Sequence, residues 1–415
     1  MKRFLAAFLG ASTLALALTS TSYAQQPMKA EVLHWWTSGG QAAGVKVFAE
    51  AFKAAGGQWV DNAIANPDQA RSIGINRVVA GDPPTMMQMN AGRQFEELVD
   101  QGLLRNLDAI AEVEDWKAVL PPDVLKAVSR NGHIYAVPVS IQTPNWLWYN
   151  KAIYAKNDLK EPTTWEQFFA NADKLKSSGV IALAVGAQPP WINQLFNGVL
   201  VGRGGKDLYL KIMRDKDASA VKSPEFLAAA STFSKLRDYV DPGSPNRSFN
   251  EAAAMIIKGT AGMHIMGDWE KGEFNLAGLT AGKEYGCVLG MGDQTFLSDS
   301  NVFVMPVTNK PELDKTQDVL AKLLLSKDVQ LAFNAKKGSL PVRTDVDVNG
   351  LDACAQIGMS VLKDPKKQLP GPDWLATPDM LNSLQDVNVE FWASKTMTPE
   401  QFAEKYAAVV ANFKK

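Results

Sequence analysis

Apolar and polar positions follow two different periods at the start of the chain. Residues 32–36 form a short apolar run that predicts a buried strand. Residues 44–54 predict an amphipathic helix, because Val45, Phe48 and Phe52 recur on one helical face. A polar segment with paired glycines separates the two. The opening unit is therefore predicted to be a strand, a loop and a helix.

The same alternation continues through the first half of the chain. Residues 85–89 predict a strand and residues 93–101 a helix. Residues 134–139 and 146–150 predict an extended pair. Thr164 predicts a helix start, since its hydroxyl can cap the amphipathic run that follows. This pattern indicates an α/β protein, a class in which ligands collect where strand ends and helix N-termini converge.

The first 24 residues have the parts of a secretory leader. Lys2 and Arg3 precede an apolar core over 4–18, and Ser22-Tyr23-Ala24 forms a small-x-small cleavage site. We expect cleavage after Ala24. No later segment has the run of about eighteen uncharged apolar residues that a transmembrane helix needs, so a soluble mature chain without membrane insertion is expected.

The size and net charge of the chain indicate how many lobes it has and which partners are excluded. Removing 24 residues from 415 leaves 391, which suits two lobes better than one core. The chain has 43 basic and 44 acidic side chains, and the leader takes away two basic ones, so the mature net charge is about −3. This near-neutrality argues against nucleic acid or an anionic membrane as the main partner.

The chain has two cysteines, Cys287 and Cys354. Outside the cytoplasm they are most simply joined in one disulfide, with two buried free thiols as the alternative. Neither lies near the leader to accept a lipid anchor, which favours a periplasm where an outer membrane confines the protein. No Cys/His spacing resembles a metal site, so no metal and no cofactor are expected.

Six short motifs follow one another in a characteristic order and spacing. They are Trp35-Trp36-Thr-Ser-Gly-Gly, Gly81-Asp82-Pro83-Pro84, Tyr135-Ala136-Val137-Pro138, Leu147-Trp148-Tyr149-Asn150-Lys151, Pro162-Thr163-Thr164-Trp165 and Gly259 to Gly267-Asp268-Trp269. Together they resemble the extracellular solute-binding proteins of ABC sugar importers, a family that includes the maltose-binding protein. The chain is most similar to the glucose- and mannose-binding branch.

The resemblance implies the periplasmic-binding-protein fold, with two α/β lobes joined by a hinge that the chain crosses several times. Mapped onto this sequence, lobe one covers 25–138 and 293–345, and lobe two covers 139–292 and 346–415. The ligand sits between the lobes, and hinge motion closes them around it.

A sugar needs aromatic rings for its apolar face and hydrogen-bonding groups for its hydroxyl rim. The aromatic candidates are Trp35, Trp36, Trp191 and Trp269, and the polar candidates are Gln41, Gln88, Asn90, Arg93, Asn301, Lys337 and Thr377. Neighbours on a strand face opposite sides, so one of Trp35 and Trp36 belongs to the core unless the strand has already ended.

Four candidate positions depart from the glucose-binding branch. Gln41, Gly92, Asn301 and Thr377 stand where that branch often carries Glu, Lys, Asp and His, although a register error would bring Asp299 to the place of Asn301. The predicted cleft is thus rich in amides and tryptophan and poor in acids. The departures leave the exact sugar open.

The histidines have no paired acid or nucleophile motif around them in the sequence, and no hydrolase, P-loop or dinucleotide fingerprint occurs. We therefore expect a binding protein rather than an enzyme. It captures a monosaccharide of the hexose type or a related polyol and delivers it to an inner-membrane ABC permease, as a monomer. The alternatives are a binder of a disaccharide, glycoside or sugar derivative, and a periplasmic sugar-active hydrolase, which would need two carboxylates across a sugar.

Overall fold

The alternating runs build two main β-sheets in the computed structural model, which describes residues 28–292 and 294–414. The predicted leader and its cleavage site lie outside these residues. The strands are β1 (Met28–His34), β2 (Gly57–Ala63), β3 (Met86–Asn90), β4 (Ser129–Arg130), β5 (His133–Ile134), β6 (Ala136–Gln142), β7 (Trp146–Asn150), β8 (Ile181–Ala184), β9 (Ala261–Met266), β10 (Tyr285–Leu289), β11 (Phe296–Val304) and β12 (Gln368–Pro370).

Helices cover both sheets. They are α1 (Gly39–Ala54), α2 (Pro67–Val79), α3 (Glu96–Asp100), α4 (Asp108–Val113), α5 (Trp116–Val119), α6 (Pro122–Ala127), α7 (Lys151–Lys156), α8 (Trp165–Ser177), α9 (Pro189–Val199), α10 (Gly205–Met213), α11 (Pro224–Leu236), α12 (Phe249–Ile257), α13 (Glu270–Leu276), α14 (Pro311–Leu325), α15 (Lys327–Lys337), α16 (Ala353–Leu362), α17 (Pro372–Leu375), α18 (Pro378–Ala393) and α19 (Pro399–Asn412). No helix within the described part of the chain combines the length and the apolar composition that a bilayer crossing requires.

The first sheet has the order β12-β11-β3-β1-β2, and β6 also pairs with β11. Strand β1 is parallel to both β2 and β3, whereas the long β11 runs antiparallel to β3 and β6. The second sheet has the order β10-β7-β9-β8. A separate pair, β4 with β5, forms a small hairpin.

Local structure follows the sequence patterns with informative shifts. Strand β1 ends at His34, two residues before the end of the predicted run, so Trp35 and Trp36 both lie beyond it. Helix α8 begins after Thr164, whose hydroxyl accepts the amide of Gln167 as a cap. The predicted helix over 93–101 is divided into a 3₁₀ turn and α3.

The predicted extended pair, 134–139 with 146–150, is wrong in its pairing. Strand β6 pairs with β11 in the first sheet, whereas β7 pairs with β9 and β10 in the second. The residues between β6 and β7 therefore form a link between the sheets rather than a hairpin turn. Only the tertiary pairing distinguishes the two arrangements, because both demand extended backbone.

The chain passes between the sheets along two links that run side by side. One follows β6 and the other connects β10 to β11. The Nδ2 of Asn145 donates to the carbonyl of Thr295 at 2.9 Å, and the amide of Leu297 donates to Oγ1 of Thr143 at 3.2 Å. A later passage follows β12, since α18 packs on α9. The predicted lobe boundaries stay a prediction.

A disulfide joins Cys287 on β10 to Cys354 on α16, with a Cα–Cα distance of 6.1 Å. The predicted pairing is confirmed. Helix α16 packs against β10 and also against β11 of the other sheet. Nearby, the ammonium of Lys271 lies 2.8 Å from Asp352, the residue that caps α16. The bond therefore fastens α16 at the side where the two sheets meet.

Candidate functional site

A cleft between the two sheets brings together most of the residues expected to bind ligand. Its empty volume is about 1040 Å³, part of which is open to solvent. Eight of the eleven predicted residues line it: Trp35, Trp36, Gln41, Asn90, Trp191, Trp269, Asn301 and Lys337.

Trp35 and Trp36 both reach the cleft because β1 has already ended at His34. The backbone amide of Trp35 donates to Oε1 of Gln88 at 3.0 Å, which holds the turn in place. The indole of Trp36 is only 1% exposed and packs edge-on against Phe303, with ring centroids 5.7 Å apart. Trp36 therefore belongs to the aromatic core and to the cleft wall at once.

Trp191 and Trp269 form a second aromatic wall, with ring centroids 6.3 Å apart. The indole N–H of Trp191 donates to Oε1 of Gln188 at 3.1 Å. The indole N–H of Trp269 is buried and has no hydrogen-bond partner among the described residues. A buried donor without a partner is costly, so a ligand oxygen at this point would satisfy Trp269.

Lys337, at the end of α15, lies between the aromatic walls. Its ammonium is 5.8 Å from the ring of Trp36 and 5.9 Å from the ring of Trp269, and it donates to Oε1 of Gln142 at 2.7 Å. Burial lowers the pKa of Lys337 to about 8, while Asp268 opposes this shift. Burial also raises the pKa of Asp268 to about 7. Lys337 is therefore protonated near neutral pH and presents donors to the cleft.

An amide cluster lines another part of the cleft. Asn301 and Asn90 are partners in the β11–β3 register, and Nδ2 of Asn301 donates to Oδ1 of Asn90 at 2.8 Å. Nδ2 of Asn90 donates to one oxygen of Asp373 at 2.9 Å, and Nε2 of Gln94 donates to the other at 2.7 Å. Asp373 comes from α17, nearly three hundred residues later in the chain.

The expectation of a cleft poor in acids is wrong. Asp68, Asp299 and Asp373 all line it. Asp299 and Asn301 are two apart on β11 and so share a face of the strand. Both line the cleft, so the two residues are not alternatives for one ligand contact. Burial raises the pKa of Asp299 well above its ordinary value, and the neighbouring carboxylate of Asp373 adds to this. On α2, Asp68 pairs with Arg71 at 2.7 Å.

Similarity to known proteins agrees with this arrangement. The chain matches the family described as bacterial extracellular solute-binding protein over residues 48–353. It belongs to that family.

Two similar proteins, each named a probable sugar-binding periplasmic protein, illustrate the relationship. The one from Brucella melitensis is 36% identical over 357 residues, covering 85% of this chain and 84% of the relative. The one from Rhizobium meliloti is 36% identical over 362 residues, covering 86% of each. The predicted family is thereby confirmed.

Solved structures of solute receptors share the fold. A chitin oligosaccharide binding protein superposes with a TM-score of 0.78 at 18% identity, covering 94% of this chain and all of the other. The receptor AcbH, described as having an exclusive preference for β-D-galactopyranose, gives 0.77 at 18% identity, covering 93% and 98%. The predicted two-lobed α/β fold of maltose-binding-protein type is confirmed.

Three predicted residues of this solute-binding protein do not line the cleft. Gln88 is fully buried beneath it, where it supports Trp35. Arg93 pairs with Glu96 at 3.1 Å and faces a different cavity. The hydroxyl of Thr377 accepts the amide of Met380 and so caps α18.

Gly92 has a steric reason for carrying no side chain. Its φ is 91°, and a Cβ there would lie 2.5 Å from the carbonyl oxygen of Asp373 and 2.6 Å from Cα of Trp374. The backbone of α17 therefore occupies the space that a lysine at this position would need. The same helix α17 that excludes a side chain at position 92 also carries Asp373, which lines the cleft.

Sequence reasoning missed Gln94, Gln142 and Asp373 and gave Asp299 only as an alternative to Asn301, and all four line the cleft. Asp299 was within reach, because it shares a strand face with Asn301. Gln142 stands at the end of β6, a place where ligand contacts are expected. Nothing in the local sequence around Asp373 indicates its role, which depends on the distant Asn90 and Gln94.

A second chamber adjoins the first at the rings of Trp35 and Trp191, which line both. Its other walls include Ser38, Phe249 and Asn250. The cleft of this solute-binding protein is therefore longer than its tryptophan-lined centre.

Proposed function

We propose that this solute-binding protein captures a monosaccharide of the hexose type, or a related polyol, in the periplasm and delivers it to an inner-membrane ABC permease. The observation that carries the proposal is the position of Lys337 between Trp36 and Trp269 in a cleft edged with amides and carboxylates.

This arrangement matches the chemistry of a pyranose. The rings of Trp36, Trp191 and Trp269 offer flat apolar surface for the C–H face of the sugar. Lys337 supplies donors and the carboxyl oxygens of Asp299 can accept, while the amides of Asn90 and Asn301 add further hydrogen-bonding groups. Hydroxyls need both kinds of partner, so a neutral polyhydroxylated ligand satisfies more of these groups than an apolar one would.

Delivery and location are supported by the relatives, which are named periplasmic sugar-binding proteins. The leader predicted over residues 1–24, with cleavage after Ala24, fits export to that compartment. The transport partner would be the permease, and the receptor would act as a monomer that closes around its ligand.

A disaccharide or glycoside is the second candidate ligand, and the adjoining chamber favours it. Trp35 and Trp191 line both chambers, so a second ring could continue past them. Ser38 and Asn250 would then offer hydrogen bonds to it. Hexoses remain the first choice because the charged and amide groups concentrate in the first chamber.

A hydrolase is not favoured. The two oxygens of Asp373 accept from Asn90 and Gln94, which holds this carboxyl within the amide cluster. The histidines pair with acids outside the cleft lining, as His34 does with Asp61 at 3.2 Å and His264 with Glu270 at 2.7 Å. Binding without cleavage needs none of these groups.

The test is a thermal-shift panel of hexoses, pentoses, polyols and disaccharides, followed by calorimetric titration of the hits. Ligand at a hundred times its dissociation constant should stabilise the protein by about 2.7 kcal/mol. Trp269→Ala should weaken the affinity for the sugar about tenfold or more, because an aromatic contact surface is lost. Trp59→Ala is the matched control, since this partly exposed tryptophan lies on β2 outside both chambers.

Two results would contradict the proposal. One is the absence of any stabilising sugar in the panel. The other is recovery of a cleaved product, rather than unchanged sugar, when the protein is incubated with its ligand and then denatured.

A further inference from the structure

We infer that Asp373 is a specificity-determining positioning residue, which orients the amides of Asn90 and Asn301 so that this side of the cleft donates hydrogen bonds to the ligand. The inference rests on the proposed function and adds to it which partner a sugar oxygen meets at this wall. Asp373 is assigned this role because its two oxygens accept from Asn90 and Gln94, so it acts on the ligand through these amides.

Gln94 is held in one orientation from both ends. Its Oε1 accepts the backbone amide of Asn90 at 2.9 Å, and a backbone N–H can only donate. Its Nε2 donates to one oxygen of Asp373 at 2.7 Å, and the other oxygen accepts from Asn90, so both oxygens of this side chain act as acceptors. Turning the amide over would break both bonds. Gln94 therefore fixes one oxygen of Asp373 in place.

The other oxygen of Asp373 sets the orientation of two further amides in succession. It accepts from Nδ2 of Asn90 at 2.9 Å, so Oδ1 of Asn90 must face the other way. That oxygen accepts from Nδ2 of Asn301 at 2.8 Å. Oδ1 of Asn301 then faces the hydroxyl of Ser140, which donates to it at 3.4 Å.

Each amide nitrogen in this chain has two hydrogens, and each bond in the chain uses one of them. Each of these nitrogens has a second N–H beyond the bond already described, and because Asn90, Gln94 and Asn301 all line the cleft, we expect these N–H groups to meet the ligand. At the nitrogen ends of these amides, a ligand oxygen would therefore accept the hydrogen bond. Asp299 and Lys337 lie outside this series of amides and are not oriented by it.

Asp373→Asn should reverse the orientation of the amides of Asn90 and Asn301. Two N–H groups converge on position 373, and a neutral amide can accept from one of them but offers its own N–H to the other. Gln94 cannot turn over without losing the backbone amide of Asn90, so Asn90 turns instead, and Asn301 follows. The wall then presents oxygens where it presented N–H groups.

The experiment uses the sugar that the wild-type protein binds most tightly, together with its monodeoxy and monodeoxyfluoro derivatives at each hydroxyl. Fluorine can accept a hydrogen bond weakly but cannot donate one. At the hydroxyl facing this wall, the deoxyfluoro sugar should bind the wild type about threefold to tenfold more tightly than the deoxy sugar. In Asp373→Asn this preference should disappear.

Two further variants separate orientation from general damage. Asp373→Glu keeps an acceptor-only carboxylate and should retain the preference even if all affinities fall. Asp386→Asn removes the same charge from an exposed position on α18 and should leave the preference and the affinities unchanged.

The inference is overturned if Asp373→Asn keeps the wild-type preference, or if no hydroxyl of the sugar shows such a preference in the wild type. If Asp373→Asn does not fold, Asp373→Glu decides, and loss of the preference there overturns the inference. A wild-type protein that binds no sugar overturns the proposed function as well, whereas a retained preference in Asp373→Asn overturns this inference alone.

Discussion

Gly40 provides a sharp test of the contact between the two halves of the molecule. It lies in the first turn of α1, which flanks the first sheet, and faces α13, which follows β9 of the second sheet. A Cβ on Gly40 would lie 2.3 Å from the carbonyl carbon of Gly272 and 2.7 Å from the amide nitrogen of Glu273. These are backbone atoms and cannot swing aside.

The size of the effect follows from these distances. Ordinary contact begins at 3.4 Å, so α1 and α13 must separate by roughly 1 Å in Gly40→Ala. The bond from the Gly40 amide to Oε1 of Glu273, now 2.9 Å, would be stretched. Overpacking costs about 1–3 kcal/mol, and part of a charged hydrogen bond is lost with it. We take about 2 kcal/mol, since the two effects are not additive. Because this cost arises when α1 and α13 are in contact, it should oppose closure of the lobes around the ligand and weaken sugar affinity about thirtyfold.

The assay is calorimetric titration of the preferred sugar into both Gly40→Ala and Gly39→Ala. The neighbouring Gly39 is a matched control because a Cβ there meets chiefly Cδ2 of Leu276, the end of a side chain that is 62% exposed and free to move. Both changes add one methyl group to the first turn of the same helix, so the difference in helix propensity largely cancels. An affinity of Gly40→Ala within threefold of that of Gly39→Ala would refute the reasoning.

Three further outcomes are expected. Without reductant, the denatured protein should show no free thiol. Reduction of the Cys287–Cys354 bond should lower the free energy of unfolding by roughly 4 kcal/mol on chain-entropy grounds, and with it the melting temperature. Sugar affinity should be kept, because neither cysteine lines the cleft. Two titratable thiols would contradict this. Sugar affinity should fall as pH rises through about 8, since Lys337 then loses its positive charge and one of its three donors. Calorimetry at pH 7 and pH 9.5 measures this, and Lys337→Met should remove the part of the dependence that is due to Lys337. Gln41→Glu should change the ranking among sugars, because a carboxylate accepts but no longer donates; a panel ranking identical to the wild type would exclude a role for Gln41 in selection.

Much of the candidate site was open to prediction because its residues follow strand ends. Trp35 lies at the end of one apolar run and Asn90 directly after another, and the ends of such strands meet at one edge of a sheet. The family resemblance added Trp191 and Lys337. The cysteine pairing was predictable as well, because two cysteines in an oxidising compartment allow only one bond.

Other features depended on contacts between distant parts of the chain. The sequence indicates extended backbone at 134–139 and 146–150, but strand partners at long range decided that these segments belong to different sheets. Trp36 is both core and cleft wall only because Phe303 and Phe333 pack behind it.

The sequence by itself determined the α/β class, the order of strands and helices, and which polar and aromatic side chains stand at the strand exits, since these follow from local periodicity. The tertiary structure alone decided the polarity of the cleft. Asp373 reaches Asn90 and Gln94 from a segment close to the end of the chain, and it displaces any side chain at position 92. Such a contact leaves no local periodicity in either segment, because each side meets its partner only after both sheets have formed.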